Sequence, residues 1–403
     1  MRDVIVVGAR CAGAPTAMLL ARKGHDVLLV DRATFPSDIP HGHFIHRHGP
    51  ARLARWGLLD RVLATNCPPI TSMTLDYGDF PLTAGNLGRD GLPLGLGPRR
   101  SALDQVLVTA AVEAGAELRE GFPVDEFLAD DGRITGVRGR VKATGGPVVE
   151  RARLTIGADG RHSHLARTVG AAMYSNTPPL TFWYFSYWAD VPATGVDLVV
   201  RGDAGLIAFP TNDGLLGILI GWAAKHLAAV RGDIEASFMA VVDSVDGFAE
   251  RVRAGRRVER FLGATDLPNF FRTPAGPGWA LVGDAGCHKD PFLALGICDA
   301  FRDAELLAEA VDDGLAGRQP MDEALAGYHR ERDAAALPDY ETNLRAASFE
   351  PAQRDHTRLR MALRGNEADT AQFLMATMGT IPAESFFQLA NIRRILGRAK
   401  SAG

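Results

Sequence analysis

The chain opens with a strand, a glycine-containing turn, a helix and a second strand, and this order constrains its fold more than any other feature. The apolar run of residues 3–7 has the length of a strand, and Gly8 permits the tight turn that follows. Gly13 lets the next helix pack closely on the sheet, and Asp31 ends the second strand, where a carboxylate can bind a ribose hydroxyl. The middle position of the turn, where backbone usually approaches a pyrophosphate, is Arg10. These residues predict a dinucleotide-binding βαβ unit with an atypical arginine in its loop.

Length and composition exclude several classes of protein. At 403 residues the chain exceeds one simple core, so we expect two domains or one elaborated domain. The net charge of −4 at pH 7, without any Lys/Arg run, argues against nucleic-acid binding. The longest apolar run, residues 215–224, is too short to cross a bilayer, and no signal-type segment precedes the first strand, so we expect a cytoplasmic protein. The four cysteines are scattered and out of metal spacing, which favours reduced thiols.

The rest of the chain alternates between helical and strand patterns and ends in helices. Residues 103–114 have helical spacing with Gly115 as a C-cap, and residues beyond 320 are almost entirely helical. Two hairpins are predicted, one from residues 134–141 and 148–156, the other from residues 206–210 and 215–222. The second hairpin lies in an aromatic, β-branched stretch that predicts a separate sheet.

Two later segments repeat the order of strand, turn and helix. Residues 156–167 run from a strand through Asp159 into a helix with a serine near its start. Residues 279–286 place Asp284 at the end of another strand, and Gly296 then opens a long helix. A carboxylate at a strand end can accept hydrogen bonds from a polyol, and a helix N-terminus suits an anionic or oxygen-rich ligand edge.

With these three motifs in this order, the chain resembles the FAD-dependent monooxygenases of the para-hydroxybenzoate hydroxylase type over roughly residues 1–340. The same architecture occurs in flavin-dependent halogenases and geranylgeranyl reductases. The resemblance implies an α/β fold, with a Rossmann-like FAD-binding domain of three layers (ββα), an inserted mixed β-sheet substrate domain and a helical C-terminus. The expected FAD-binding domain comprises residues 1–68, 97–179 and 273–340, the substrate domain residues 69–96 and 180–272, and the C-terminal segment residues 341–403.

The resemblance also implies a set of cofactor contacts. Asp31 would hold the adenosine ribose, Asp284 would bind the ribityl chain, and Asp159 would lie near the dinucleotide path. The other expected contacts are Gly8, Ala9, Arg10, Cys11, Ala12 and Gly13 at the pyrophosphate, Arg32 and Val124 at the adenine, Arg100 ahead of its helix, Gly283 beside Asp284, and Pro291, Gly296 and Ile297 at the isoalloxazine. The flavin helix departs from the family pattern, because Cys298 stands where asparagine is common.

Histidines supply the candidates for proton handling. His43 or His46 would pass near the flavin, and His288, close to Pro291, is a second candidate for acid–base work at its reactive face. Hydrogen bonding within loops is the alternative role for these imidazoles. The group His41, His43, His46 and His48 has no nearby cysteine or carboxylate pattern to complete a ligand set, so no metal site is predicted. The catalytic candidates are therefore His43, His288 and Pro291.

The resemblance implies FAD as cofactor, NAD(P)H as electron donor and dioxygen as co-substrate. Hydroxylation or epoxidation of an aromatic or apolar small molecule through a flavin hydroperoxide is the expected reaction, because the cofactor carries the difficult chemistry. The alternatives are a double-bond reductase of geranylgeranyl-reductase type, a halogenase-like enzyme without the expected lysine, and a non-catalytic FAD-binding protein. A homodimer and a separate flavin reductase both remain open.

The sequence leaves alternatives for the aromatic strand, for Arg272 and for the final helices. Alternation places Phe182, Tyr184, Ser186 and Trp188 on one face of a strand and Trp183, Phe185 and Tyr187 on the other, without saying which faces the flavin. Arg272 is expected either to bridge the two domains by a salt bridge or to anchor an acidic substrate. The final helices are expected to pack into the core, to cap the pocket or to form a dimer surface.

Overall fold

A computed structural model describes residues 1–39, 41–140, 145–350 and 354–401. Residues 141–144, between the two strands of the first predicted hairpin, lie outside this description. The strands are β1 (Arg2–Val7), β2 (Val27–Val30), β3 (Ile45–His46), β4 (Pro69–Ile70), β5 (Ser72–Asp76), β6 (Pro81–Ala84), β7 (Gly95–Leu96), β8 (Glu117–Arg119), β9 (Val124–Asp130), β10 (Arg133–Arg140), β11 (Pro147–Gly157), β12 (Met173–Thr177), β13 (Thr181–Ala189), β14 (Gly195–Arg201), β15 (Ala204–Pro210), β16 (Leu216–Ala223), β17 (Arg256–Arg257), β18 (Leu262–Ala264), β19 (Asn269–Arg272), β20 (Ala275–Gly276), β21 (Trp279–Leu281) and β22 (Cys287–His288).

The helices complete the element order. They are α1 (Gly13–Arg22), α2 (His48–Arg55), α3 (Leu59–Leu63), α4 (Arg100–Glu113), α5 (His164–Thr168), α6 (Leu227–Gly232), α7 (Ile234–Asp243), α8 (Phe248–Ala254), α9 (Gly296–Leu315), α10 (Met321–Ala347), α11 (Arg354–Leu363), α12 (Glu367–Thr377), α13 (Ala383–Phe386) and α14 (Leu389–Ser401). No helix of the described ranges is long and apolar enough to cross a membrane.

The first sheet is built around β1, with the strand order β20-β21-β11-β1-β2-β8. The pairs β1–β11, β1–β2, β2–β8 and β11–β21 are parallel, whereas β9, β10 and β11 form an antiparallel meander. Alternate residues of β1 face opposite layers: Val4 and Val6 pack with the core that includes α1, α4 and α9, and Ile5 and Val7 pack with the meander side. The predicted three-layer ββα domain is confirmed.

The second sheet is mixed and holds the aromatic stretch. Its order is β17-β13-β16-β15-β14-β5-β6, with β18 also paired to β13. β14 and β5 run parallel, and the other neighbours are antiparallel, including β15 and β16, which form the second predicted hairpin. The structure therefore contains the mixed β-sheet that the sequence predicts beside the Rossmann-like layer.

The strand β13 divides its aromatic side chains between two cores. Phe182, Tyr184 and Trp188 pack with Phe238 and other residues of α6–α8. Trp183, Phe185 and Tyr187 point to the opposite side, into a cluster that includes Phe44 and Phe209. The alternation predicted from the sequence is confirmed, and the second face is the one that contacts the loops of the first domain.

The C-terminal helices belong to the same cluster as that second face. Phe373, Met378 and Phe386 are buried in it, Met375 packs against it, and Phe387 is exposed. Helices α11 and α12 lie against the hairpin of β5 and β6, where Arg360 places its guanidinium over the ring of Tyr77. Packing into the core is thus the role that the described part of these helices has in the structure.

Candidate FAD-binding site

The first two motifs meet at glycines that allow their backbones to touch. Gly8 has a φ of +105°, and a Cβ there would lie 2.4 Å from the carbonyl oxygen of Ala158. A Cβ on Gly13 would lie 1.7 Å from the carbonyl oxygen of Gly8, which is far below a van der Waals contact. Both glycines are therefore required by close approach between the β1–α1 turn and the end of β11.

The third motif joins the other two through Gly283. This residue has a φ of +61°, and a Cβ there would lie 2.7 Å from that of Ala12 and 3.6 Å from that of Ala300 in α9. The loop after β21 is thus held between the starts of α1 and α9. Three motifs that are far apart in the sequence form one cleft at the carboxyl ends of the parallel strands, where ligands bind in sheets of this type.

Asp31 fixes the glycine turn to the end of β2. Its Oδ2 accepts a hydrogen bond from the amide of Ala9 at 2.8 Å, and its Oδ1 accepts one from Ala33 at 2.8 Å. The amide of Phe122, two residues before Val124, donates to the Asp31 carbonyl at 2.8 Å, so β9 starts beside the same strand end. Arg32 follows on the exposed surface.

The atypical loop arginine is bound to a carboxylate that sequence reasoning missed. Nη1 of Arg10 lies 2.6 Å from Oδ2 of Asp104, and Nη2 of Arg100 lies 3.0 Å from Oδ1 of the same group. Asp104 is fully buried, so one carboxylate compensates two guanidinium groups. The only signal in the sequence is the i, i+4 spacing of Arg100 and Asp104 in α4.

Arg10 also holds the loop that follows β2. Its Nη2 donates to Oγ of Ser37 at 2.9 Å, and its guanidinium lies 5.3 Å from the ring centre of Phe35. Cys11 donates from Sγ to Asp104 at 3.4 Å, and burial raises the pKa of its thiol, so the thiol stays protonated. The loop residues therefore form a pre-arranged polar wall beside the glycine turn.

The second motif contains two buried polar atoms without protein partners. Asp159 caps the first turn of α5, because its Oδ2 accepts from the amide of His164 at 2.7 Å. Its Oδ1 and the Nε of Arg161 are buried and have no hydrogen-bond partner among the described residues. Buried polar atoms of native proteins are nearly always satisfied, so this pair is suited to a bound polar ligand.

The third motif presents open space in front of α9. A Cβ on Gly296, the first residue of α9, would meet no heavy atom of the described residues within 4 Å. Asp284 is half-buried, and its charge acts on buried Arg100 across the cleft. Pro291 lies in a short 3-10 turn that Asp290 caps by accepting from the amide of Phe292 at 3.1 Å. Ile297, in the first turn of α9, is buried.

His43 is buried and fully hydrogen-bonded at the boundary between the two sheets. Its Nδ1 lies 3.1 Å from the carbonyl oxygen of Gly97, so this nitrogen carries the proton, and its Nε2 accepts from the hydroxyl of Tyr187 at 2.8 Å. Burial, with the charge of Arg99, lowers the pKa of His43 to about 3. His43 is thus a neutral acceptor that fixes the Tyr187 hydroxyl.

The other histidines have separate partners. His46 donates from Nε2 to the carbonyl oxygen of Leu293 at 2.6 Å, and His288 bonds through Nδ1 to the carbonyl oxygen of Pro268. Burial and the charge of Arg100 lower the pKa of His41 to about 3. No group of three or more His, Cys, Asp or Glu side chains among the residues described could hold a metal ion.

Arg272 links the motifs through carbonyl oxygens rather than through an ion pair. It donates to Ala285 at 2.8 Å and to Arg161 at 3.2 Å, and its guanidinium lies 4.1 Å from the ring centre of Phe270. Of the two roles expected for Arg272, bridging agrees with these contacts, but Arg272 forms no salt bridge with the described residues, so the expected ion pair is wrong. Its donors are used for main-chain acceptors.

The donor set fits a dinucleotide with a diphosphate and a polyol. Among the described residues no side chain caps the N-terminus of α1, so the amide of Gly13 can meet a phosphate oxygen beside Arg10. The amide of Ala14 donates to the carbonyl of Arg10 at 3.0 Å, and Pro15 has no amide hydrogen. Arg161 adds an unsatisfied donor, and Asp284 offers a carboxylate to hydroxyl groups. The fold and the site together define an FAD-binding flavoprotein.

Comparison with known proteins agrees with this class. Residues 1–243 match the family model described as the FAD binding domain. The digeranylgeranylglycerophospholipid reductase 2 of Methanopyrus kandleri is 27% identical over 332 residues, which are 77% of this chain and 78% of the relative. Because the family model covers more than half of the chain, the protein belongs to the FAD binding domain family, and it is an FAD-dependent oxidoreductase.

Two solved structures share the fold over nearly the whole chain. The myxobacterial chondrochloren halogenase CndH superposes with a TM-score of 0.78 at 21% identity and covers 99% of this chain and 96% of its own. PqsL of Pseudomonas aeruginosa, a probable FAD-dependent monooxygenase, has a TM-score of 0.71 at 20% identity and covers 94% of this chain and 100% of its own.

Proposed function

We propose that the protein is an NAD(P)H-dependent monooxygenase that hydroxylates or epoxidises an aromatic or apolar small molecule. The observation that supports this proposal is the aromatic face of β13, which contacts the loops that hold His43 and Phe292. Trp183 lies 6.2 Å, between ring centres, from Phe292 in the turn that begins at Pro291, and Tyr187 bonds to His43. An aromatic face of this kind is suited to an apolar ring and to the exclusion of water from a reacting centre.

The cofactor contacts implied by the family resemblance are proposed for this chain residue by residue. Bound FAD supplies the redox and oxygen chemistry, and the protein binds and orients it. The diphosphate is assigned to the turn Gly8–Gly13, the ribose and adenine to Asp31, Arg32 and Val124, the polyol to Gly283 and Asp284, and the ring system to Pro291, Gly296 and Ile297. Arg100 is proposed to reach the FAD, and Asp159 to lie near the dinucleotide path. The cleft shared by the three motifs supports this assignment.

Arg10 is proposed as a direct contact of the diphosphate. A guanidinium can bind two phosphate oxygens at once, which a glycine at this position cannot do. Its position beside the uncapped start of α1 supports this role, and Asp104 keeps it ordered before the cofactor arrives. Replacement by glycine is then expected to weaken FAD binding, and unchanged affinity would refute the contact.

His43, His288 and Pro291 are proposed as the residues at the reactive side of the flavin. His43 cannot act as a charged acid near neutral pH, because burial lowers its pKa to about 3. Its proposed role is to hold the hydroxyl of Tyr187, which donates to Nε2 of His43 and leaves its oxygen to accept a hydrogen bond from the substrate. The Nδ1 of His288 is engaged by Pro268, which leaves its Nε2 as the nitrogen for proton transfer.

The experiment that tests the proposal measures flavin reduction and oxygen incorporation separately. The purified yellow protein is mixed with NADH or NADPH in air, with and without a panel of neutral aromatic compounds, and the products are analysed under ¹⁸O₂. Faster NAD(P)H oxidation with one ¹⁸O atom in the product supports monooxygenation. No ¹⁸O incorporation with either nicotinamide or with an added flavin reductase would overturn it.

Reduction of a carbon–carbon double bond is the second candidate function. It is favoured by the likeness to the reductase of Methanopyrus kandleri, which is 27% identical. The same assay under argon distinguishes it, because saturation of an alkene consumes reduced flavin without dioxygen. A halogenase is not proposed, since no lysine stands between Lys23 and Lys142. Homodimerisation and the partner reductase are tested by light scattering and by the added-reductase arm.

A further inference from the structure

A chain of four charged side chains runs along the first turns of α9. Nζ of Lys289 lies 2.6 Å from Oδ2 of Asp299, and Nη1 of Arg302 lies 2.8 Å from Oδ1 of the same carboxylate. Nη2 of Arg302 lies 2.7 Å from Oδ1 of Asp303. The Lys289 side chain is only 4% exposed, so water screens this group weakly. Two cations thus balance two anions in a mostly buried site.

The negative charge of Asp299 lies where it offsets the partial positive charge of the N-terminus of α9. Its amide donates to the carbonyl of Leu295 at 2.9 Å, so its carboxylate belongs to the first turn of α9. The N-terminus of a helix carries about half a positive charge, and a carboxylate within one turn offsets it. The N-terminus of α9 opens on free space at Gly296, where the flavin ring is placed in the function proposed above.

We propose that Lys289 is the counter-ion of Asp299 and thereby keeps the start of α9 positive towards the flavin, which sets the reduction potential of the bound cofactor. A reduced flavin is more electron-rich than an oxidised one, so positive charge at its edge favours reduction. Arg302 pairs with both Asp299 and buried Asp303, whereas Lys289 pairs with Asp299 alone in this group of four side chains. Lys289 acts through Asp299 and α9, as a positioning residue.

The position of the third motif brings the start of α9, and with it the charges of Asp299 and Lys289, close to the proposed flavin site. Gly283 is held between Ala12 and Ala300, so α9 starts alongside the glycine turn that faces the cofactor. The pKa of Lys289 is raised by the charge of Asp299 despite burial, which lowers it, so the lysine is charged at neutral pH. The inference rests on the proposed placement of the flavin at α9.

The test is the midpoint potential of the FAD-loaded protein, measured by anaerobic chemical reduction against a reference dye. Lys289→Met is expected to shift the equilibrium about tenfold towards oxidised flavin, which is about 30 mV for a two-electron couple. Asp299→Asn is expected to raise the potential, and Lys289→Met/Asp299→Asn to return it to the wild-type value. Lys225→Met is the matched control, because Lys225 pairs with Asp203 on the surface at 66% exposure.

The outcomes separate a charge effect from a structural one. Equal potentials in Lys289→Met and Lys225→Met, or a double variant as low as Lys289→Met, would overturn the inference. If Lys289→Met does not retain FAD, Asp299→Asn decides: a raised potential supports the inference and an unchanged or lowered one overturns it. The measurement uses no NAD(P)H, substrate or dioxygen, so its failure is distinguishable from failure of the proposed monooxygenase activity.

Discussion

Nη1 of Arg10 lies 2.6 Å from Oδ2 of Asp104, and this carboxylate is fully buried. The arginine that departs from the glycine fingerprint is therefore paired with a residue of α4, more than ninety positions further along the chain. Because Arg100 binds the same carboxylate, the cluster keeps one net positive charge beside the uncapped start of α1. A diphosphate would meet a cation that is already held in position.

Removing the shared carboxylate should destabilise the protein strongly. Asp104→Asn leaves Arg100 buried without its counter-ion, and breaking such a pair costs about 3–5 kcal/mol. Urea denaturation followed by fluorescence measures the loss. Asp125→Asn is the control, because its pair with Arg140 is exposed and should be worth about 0–1 kcal/mol. Equal losses in the two variants would contradict a compensating role for Asp104.

Gly13→Ala should abolish FAD retention. The added methyl group would lie 1.7 Å from the carbonyl oxygen of Gly8, so the turn must move away from the end of β11. Purified protein is expected to show at least a tenfold lower ratio of flavin to protein absorbance. Gly85→Ala is the control, since a Cβ there meets no heavy atom within 4 Å. Normal flavin content in Gly13→Ala would refute the close approach.

His43 should make the folded protein sensitive to mild acid. Folding lowers its pKa from 6.5 to about 3, so below pH 6.5 the unfolded chain takes up a proton that the folded one refuses. Stability is then lost as the pH falls, by about 1.4 kcal/mol per pH unit. His43→Gln should have a flatter dependence between pH 6.5 and 5. Parallel curves for wild type and His43→Gln would contradict this.

Asp290 should have the opposite effect to His43, because it makes the folded protein less stable as the pH rises. Burial raises its pKa from 3.8 to about 6, although Thr181 and Phe292 donate to it, so the folded state keeps a proton that the unfolded state releases. Stability from this group is present below about pH 4 and is lost as the pH rises through 6. Unfolding free energies of wild type and Asp290→Asn should diverge by up to about 3 kcal/mol over that window. A constant difference would rule out the raised pKa.

The two faces of β13 should respond differently to the loss of one hydroxyl group. Tyr187→Phe removes the hydrogen bond to His43, so we expect at least a tenfold lower kcat with near-normal FAD content. Tyr184→Phe, on the face that packs with α6–α8, should leave kcat within about twofold. Steady-state kinetics with an accepted substrate measures both. A larger effect of Tyr184→Phe would place the substrate on the other face.

The three motifs could be predicted from local sequence patterns, but the long-range contacts between them could not. Gly8, Gly13 and Asp31 could be assigned from the sequence because a βαβ turn imposes residue types at fixed spacing. The pairing of Arg10 with Asp104 joins segments whose spacing carries no rule. The facing direction of Tyr187 was equally hidden, because alternation gives two faces but not the layer that covers each.

The glycines at which the three motifs contact one another also determine when, during synthesis, the FAD site can form. Ala158 touches the turn at Gly8, and Gly283 is held between Ala12 and Ala300, so the cleft needs about three quarters of the chain. During synthesis, the N-terminal motif must wait for Ala158 and Gly283, which emerge about 150 and about 275 residues after Gly8. Flavin uptake is therefore expected late in synthesis, and bound FAD in a cell extract would report that the three motifs have come together.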